Sequence, residues 1–225
     1  MSIIFYNRTK AGQYLAEKLA IYSNRPDVLI LALPRGGVPV AFEIAKKLNL
    51  PLDICLVRKL GVPKRKELAM GAIASGGVRL INQEVVDWLK ISPEIIEEVA
   101  AEEQRELERR DRAYRGNKPL PLIKNQTIIL VDDGIATGST IKAAIAALKQ
   151  QQPNKIIVAV PVASDVVCRE LAKEVDQVIC LSIPEPLNSI SIWYEDFSQT
   201  TDDEVRYLLA KAIKEVRSGS TKVKI

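Results

Sequence analysis

Histidine is absent from all 225 residues. That removes Ser-His-Asp and Cys-His catalysis and imidazole metal ligation by inventory alone. Cysteine is scarce: Cys55, Cys168 and Cys180 lie scattered among apolar residues without a paired spacing. They read as buried, reduced thiols, not as a disulfide frame or a zinc site, and so point to the cytoplasm. No apolar run is long enough to span a bilayer, and Met1-Ser2-Ile3-Ile4 lacks the basic start and long apolar core of a signal peptide. A large charge of one sign is also missing. The formal net charge is +4 with both signs abundant, too mild to demand nucleic acid, although local basic clusters could hold a small polyanion. No internal repeat is visible.

What is present is a chain with 47% apolar residues, enough for one sizeable core. One α/β domain over residues 1–225 is therefore expected. From the cap Asn7, Ala11, Leu15, Leu19 and Tyr22 recur at helical spacing until Asn24-Arg25-Pro26. Val28 to Leu33 reads as a strand, Val38 to Leu48 as a helix and Leu52 to Val57 as the next strand. Leu68 to Ala74 and Val78 to Ile81 form a short strand pair joined through Ser75-Gly76-Gly77. Ser92 and Pro93 open a long charged helix to Gly116, part of a helical insertion at about 82–118. Acids and bases interleave along it, so its charges read as a solvated face in preference to a nucleic-acid arm.

Further strands are expected at Ile128 to Val131, Lys155 to Val160 and Gln177 to Leu181, giving a core of about five parallel strands flanked by helices. A small, irregular C-terminal hood follows at about 182–200, ahead of a final helix capped by Thr201 and followed by Asp202-Asp203-Glu204.

The most informative stretch is Thr127-Ile128-Ile129-Leu130-Val131-Asp132-Asp133-Gly134-Ile135-Ala136-Thr137-Gly138-Ser139-Thr140. A strand buried on both faces ends in two carboxylates, and a small hydroxyl-rich turn then opens a helix. Backbone N–H groups at the helix's positive end suit a phosphate, and Asp132 and Asp133 can accept from vicinal hydroxyls. Phosphate and diol together describe a ribose 5-phosphate. The stretch lacks the lysine of a Walker loop and the three glycines of a dinucleotide fingerprint.

At these residues the chain resembles the type I phosphoribosyltransferases, whose signature is an apolar strand, two acids and a loop ending Thr-Gly-x-Thr. The resemblance implies their Rossmann-like fold and a donor, 5-phosphoribosyl 1-diphosphate, held by Asp132, Asp133, Ala136, Thr137, Gly138, Ser139 and Thr140. It further implies that Pro34-Arg35-Gly36-Gly37, between the first strand and its helix, is the pyrophosphate loop, often built with a non-proline cis peptide. Orotate and adenine phosphoribosyltransferases carry a similar Arg-Lys before a flexible closing loop. Arg58 and Lys59 match it at the end of a strand, with the Gly/Pro-punctuated segment Leu60-Gly61-Val62-Pro63-Lys64-Arg65-Lys66 as the candidate lid; Lys64, Arg65 and Lys66 read equally well as solvated charges.

On this basis Arg35, Arg58 and Lys59 are the candidate catalytic residues, and Gly36 and Gly37 bind substrate. The implied activity is a pentosyltransferase that expels pyrophosphate and joins phosphoribose to an unidentified nitrogenous base, or runs in reverse on a nucleotide. Mg2+ is expected through substrate and water, with no direct protein ligand inferred. In the 6-oxopurine branch an Asp contacts the purine where Ala136 stands here, so purine salvage is not assigned. Trp193 or Tyr194 in the hood can stack on a base or simply pack the C-terminal segment. A homodimer is implied by family analogy alone. The alternative is a non-catalytic regulator that senses the same donor.

Overall fold

The computed structural model describes residues 3–116 and 118–220. Outside it lie Met1, Ser2, Asn117 and residues 221–225, together with the side chains of Lys66, Glu67 and residues 215–220. The main sheet has five parallel strands in the order β2-β1-β6-β7-β8. They are β1 (Val28–Ala32), β2 (Leu52–Ile54), β6 (Thr127–Val131), β7 (Lys155–Val162) and β8 (Gln177–Ser182). The three central strands are apolar on both faces because helices cover both. Val28, Ile30 and Ala32 enter one core cluster and Leu29 and Leu31 the other, and β6 divides Ile129 and Val131 from Ile128 and Leu130 in the same way.

One face is covered by α1 (Arg8–Lys18), α2 (Gly37–Leu48) and α7 (Asp202–Ser220), the other by α5 (Ser139–Gln150) and α6 (Asp165–Leu171). Asn7 caps α1, its side-chain oxygen accepting from the Lys10 N–H at 3.0 Å. The strand order fixes where a ligand can sit. From β1 the chain goes to β2 on one side and later returns to β6 on the other, so the loops after β1 and β6 leave the sheet in opposite senses and open a crevice at its carboxyl edge.

The structure departs from the sequence reading after β2. The expected strand through Val57 ends at Ile54, where pairing with Ala32 of β1 stops. The chain then enters a separate antiparallel sheet of β3 (Val57–Val62), β4 (Arg65–Ala74) and β5 (Val78–Ile81). Arg58 and Lys59 therefore do not end a core strand. They lie in β3, and the segment read as a Gly/Pro-punctuated lid is a β-ribbon turned at Pro63-Lys64, with Lys64 at φ 64°. The ribbon was hidden because its register shifts at Gly61 break the alternation by which a strand is recognised.

The insertion contains α3 (Gln83–Leu89) and α4 (Pro93–Arg115). It is more than a solvated helix. Ile96, Ala100, Leu107 and Tyr114 enter the main core, and Arg115, only 5% exposed, reaches the Ile54 carbonyl at 2.5 Å and Asp53 at 3.1 Å. This ties α4 to the end of β2. Burial raises the Asp53 carboxyl above its ordinary value, and Arg115 opposes that rise.

Candidate active site

The loop after β1 and the loop after β6 touch. Gly37 donates its N–H to the Leu33 carbonyl at 3.1 Å, and the Pro34–Arg35 peptide is cis. A methyl group on Gly36 would lie 2.0 Å from Asp133 Oδ2, and one on Gly37 would lie 2.7 Å from the Val131 carbonyl oxygen. Both glycines are needed because the two loops leave no room for a side chain. The expected donor elements, separated by almost a hundred residues in sequence, are thus in contact at the crevice.

Asp132 and Asp133 follow β6 directly. Asp132 Oδ1 accepts from the Asp133 N–H at 2.9 Å. Burial first, and then the charge of Asp133, raise the Asp132 carboxyl well above the ordinary 3.8. After the acids, Ile135 bridges to Ala163, and Ala136, Thr137, Ser139 and Thr140 are exposed. Gly138, at φ 77°, is the N-cap of α5 and supplies no side-chain cap, so the first N–H groups of that helix are left for an anion.

The two candidate arginines are each engaged by an acid. Arg58 binds Glu103 of α4, Nε to Oε2 at 2.6 Å, and Arg35 Nη1 lies 3.7 Å from Asp202 Oδ1. Asp202 also accepts from the Tyr114 hydroxyl at 2.7 Å, and burial, with that bond, raises Tyr114 to about 12. A small cavity of about 30 Å³ is lined by Leu33, Pro34, Arg58, Arg110 and Thr140 among others, so all three sequence elements meet around it. Lys59 lines a larger cavity of about 520 Å³ between the ribbon and α4, which Arg58 shares.

The hood differs from one expectation. Tyr194 is 5% exposed, its ring centroid 5.6 Å from that of Phe5, and its hydroxyl donates to the Asp133 carbonyl at 2.5 Å. A residue so enclosed has no free face for a base; it packs and positions instead. Trp193 is half-buried, and its Nε1 is buried without a hydrogen-bond partner among the described residues.

Several residues at the site carried no sequence signal. Glu103, Arg110, Tyr114 and Asp202 come from helices whose charge pattern looks like ordinary solvated surface. Arg8 lies 125 positions from its partner, and its Nε donates to Asp133 Oδ2 at 2.8 Å. Only its place beside the helix cap Asn7 set it apart.

The raised Asp132 carboxyl has a measurable consequence. Because its native value exceeds its unfolded one, ionisation costs folding stability as pH rises from about 4 through the raised native value. Asp132→Asn keeps an oxygen for the Asp133 N–H and removes that cost. At pH 7 without ligand the variant is expected to melt higher than wild type. The gain should vanish in acid, and donor affinity should fall about tenfold. Melting curves across pH, with and without donor, check both arms.

Residues 6–198 match the phosphoribosyl transferase domain family, and the chain belongs to that family. Proteins of two Mycobacterium tuberculosis strains, provisionally named as phosphoribosyl transferases (Rv0571c in strain H37Rv, MT0597 in CDC 1551), are 43% identical to it over 210 residues. That match takes in 93% of this chain and 47% of each relative, so the chain spans about half their length. The crystal structure of TT1426 from Thermus thermophilus superposes with a TM-score of 0.83 at 36% identity, covering 93% of this chain and 99% of that one. AQ2163 from Aquifex aeolicus shares the fold at 13% identity, with a TM-score of 0.50 over 90% and 84% of the two chains. No helix among the described residues is long and apolar enough to cross a membrane.

Proposed function

We propose that the core, the insertion and the hood work as one domain, a phosphoribosyltransferase that takes 5-phosphoribosyl 1-diphosphate as donor and a nitrogenous base as acceptor. The observation that carries this reading is the contact of Gly36 with Asp133 at the crevice between β1 and β6. It supports the reading because the Pro34-Arg35-Gly36-Gly37 loop, Asp133 and the start of α5 then follow the order in which a phosphoribosyl diphosphate presents its groups.

In this reading the α5 N-terminus with Thr137, Ser139 and Thr140 holds the 5-phosphate, and Asp132 and Asp133 hold the ribose hydroxyls. Gly36 and Gly37 let the pyrophosphate approach the backbone. The acceptor nitrogen bonds to C1 as the C1–O bond to pyrophosphate breaks, and Arg35, Arg58 and Lys59 stabilise the charge that develops on the leaving group. Arg35 and Arg58 exchange Asp202 and Glu103 for phosphate oxygens as the donor enters.

The acceptor oxygens of Asp132 and Asp133 suit hydrogen bonds from water bound to Mg2+, an ion that keeps waters and substrate phosphates as most of its ligands. When bound it would neutralise charge on the diphosphate.

The test is incubation with the donor, Mg2+ and a panel of purine, pyrimidine and nicotinamide-like acceptors, following pyrophosphate release and nucleotide formation. Release that depends on one acceptor supports the enzyme. Tight donor binding without turnover on any acceptor overturns it in favour of the donor-sensing regulator, the reading that the enclosed Tyr194 favours.

A further inference from the structure

Asp133 is held at both ends by residues from outside its own loop. Arg8, at the first position of α1, donates from Nε to Asp133 Oδ2 at 2.8 Å, and the pair is well shielded, with 11% and 16% of the two side chains exposed. The rest of the guanidinium is also fixed. Nη1 donates to the Ser198 carbonyl at 2.7 Å, and the guanidinium carbon lies 3.9 Å from the centroid of the Phe197 ring. At its other end, the Asp133 carbonyl accepts from the Tyr194 hydroxyl.

These holders are themselves joined. The Phe5 N–H donates to the Trp193 carbonyl at 2.9 Å, and the Glu195 and Asp196 N–H groups donate back to the Phe5 and Tyr6 carbonyls at 2.9 Å each. The segment before α1 and the hood thus form a short ladder that sets Arg8 against the Asp133 carboxylate and Tyr194 against its backbone carbonyl. Ile190 of the hood packs against Gly134, the residue after Asp133, where a methyl group would meet the isoleucine at 2.5 Å.

We infer that Arg8 is a positioning residue of the donor site: by holding Asp133 Oδ2 it fixes the plane of the carboxylate, so that the group is set to meet a ribose hydroxyl. This rests on the donor reading given above. A carboxylate that must meet a hydroxyl at hydrogen-bond distance loses less freedom on binding when it is already held in place. Arg8 does so through one charged hydrogen bond from Nε, while its Nη1 is anchored on the Ser198 carbonyl, and a lysine, with a single nitrogen, cannot reproduce that planar pair of contacts. It also makes the hood part of the ribose site, since the same guanidinium that orients Asp133 is anchored on Ser198 and Phe197.

The experiment is calorimetric titration of the full chain with 5-phosphoribosyl 1-diphosphate and Mg2+, comparing wild type with Arg8→Ala, Arg8→Lys, Tyr194→Phe and Arg25→Ala. Arg25 pairs with the exposed Asp27 and controls for loss of a surface guanidinium. Arg8→Ala is expected to weaken donor affinity about tenfold, Arg8→Lys to recover only part of it and Tyr194→Phe to weaken it about threefold, with Arg25→Ala unchanged. A folded Arg8→Ala chain that binds donor as wild type does overturns the inference and leaves the donor reading standing. If Arg8→Ala does not fold, Arg8→Lys and Tyr194→Phe decide, and wild-type affinity in both overturns it. A wild-type chain that does not bind the donor refutes the donor reading, and the inference falls with it.

Discussion

Replacing Gly36 with alanine is expected to cut affinity for 5-phosphoribosyl 1-diphosphate about 100-fold, the equivalent of roughly 3 kcal/mol. Backbone strain plays no part, because Gly36 sits at φ −61° and ψ −30°, a conformation open to any residue. The effect is one of space. The added methyl would fall 2.0 Å from Asp133 Oδ2 and 2.5 Å from its Cγ. A carboxylate on a free side chain could swing away at little cost. Here Arg8 holds the same oxygen at 2.8 Å, and Tyr194 fixes the residue's carbonyl, so either the pyrophosphate loop shifts or the Arg8 pair breaks. Overpacking of this kind typically costs about 1–3 kcal/mol, and both escapes damage the site. Donor titration should show the loss and urea unfolding a smaller drop in stability. Wild-type donor affinity in Gly36→Ala would mean that these loops do not jointly hold the donor.

The largest loss of stability is expected at Phe5→Ala, about 3–5 kcal/mol. Phe5 is fully buried, its ring packs between Tyr14 and Tyr194, and its backbone pairs with Trp193 and Glu195. Truncation leaves a cavity under the hood and loosens the ladder that carries Arg8 and Tyr194 to Asp133. Chemical denaturation should therefore show a lower midpoint. Donor affinity should also fall, although Phe5 touches no proposed substrate atom. Ile21→Ala, at a position 75% exposed, should stay within about 0.5 kcal/mol of wild type. Equal stabilities for the two variants would show that the segment before α1 adds nothing to the fold.

These two variants also mark how far the sequence could be read. The parallel core was legible because β1, β6 and β7 are short apolar runs between turn residues, and only a sheet covered on both faces accepts such runs. The loops proposed to hold the donor could be picked out as candidates because their chemistry is local: two acids, small residues and a helix start lie within a few positions of one another. The strand pair of Leu68–Ala74 and Val78–Ile81 was legible too, but its partner β3 was not, since the register shifts at Gly61 erase the period of two. Tyr194 could not be judged either. An aromatic residue in a polar hood reads alike whether it faces a base or a buried phenylalanine, and only Phe5, far away in sequence, decides between them.

The sequence by itself determined the fold class, the location of the two loops proposed to bind anions and the exclusion of histidine chemistry, because each depends on residue types read locally or by inventory. The tertiary structure decided that Gly36 meets Asp133, that Arg58 and Arg35 rest on Glu103 and Asp202, and that Arg8 and Tyr194 hold Asp133. These are contacts between elements whose separation in the chain carries no period or motif. Packing a doubly covered sheet brings them together, and no stretch of the sequence records the encounter.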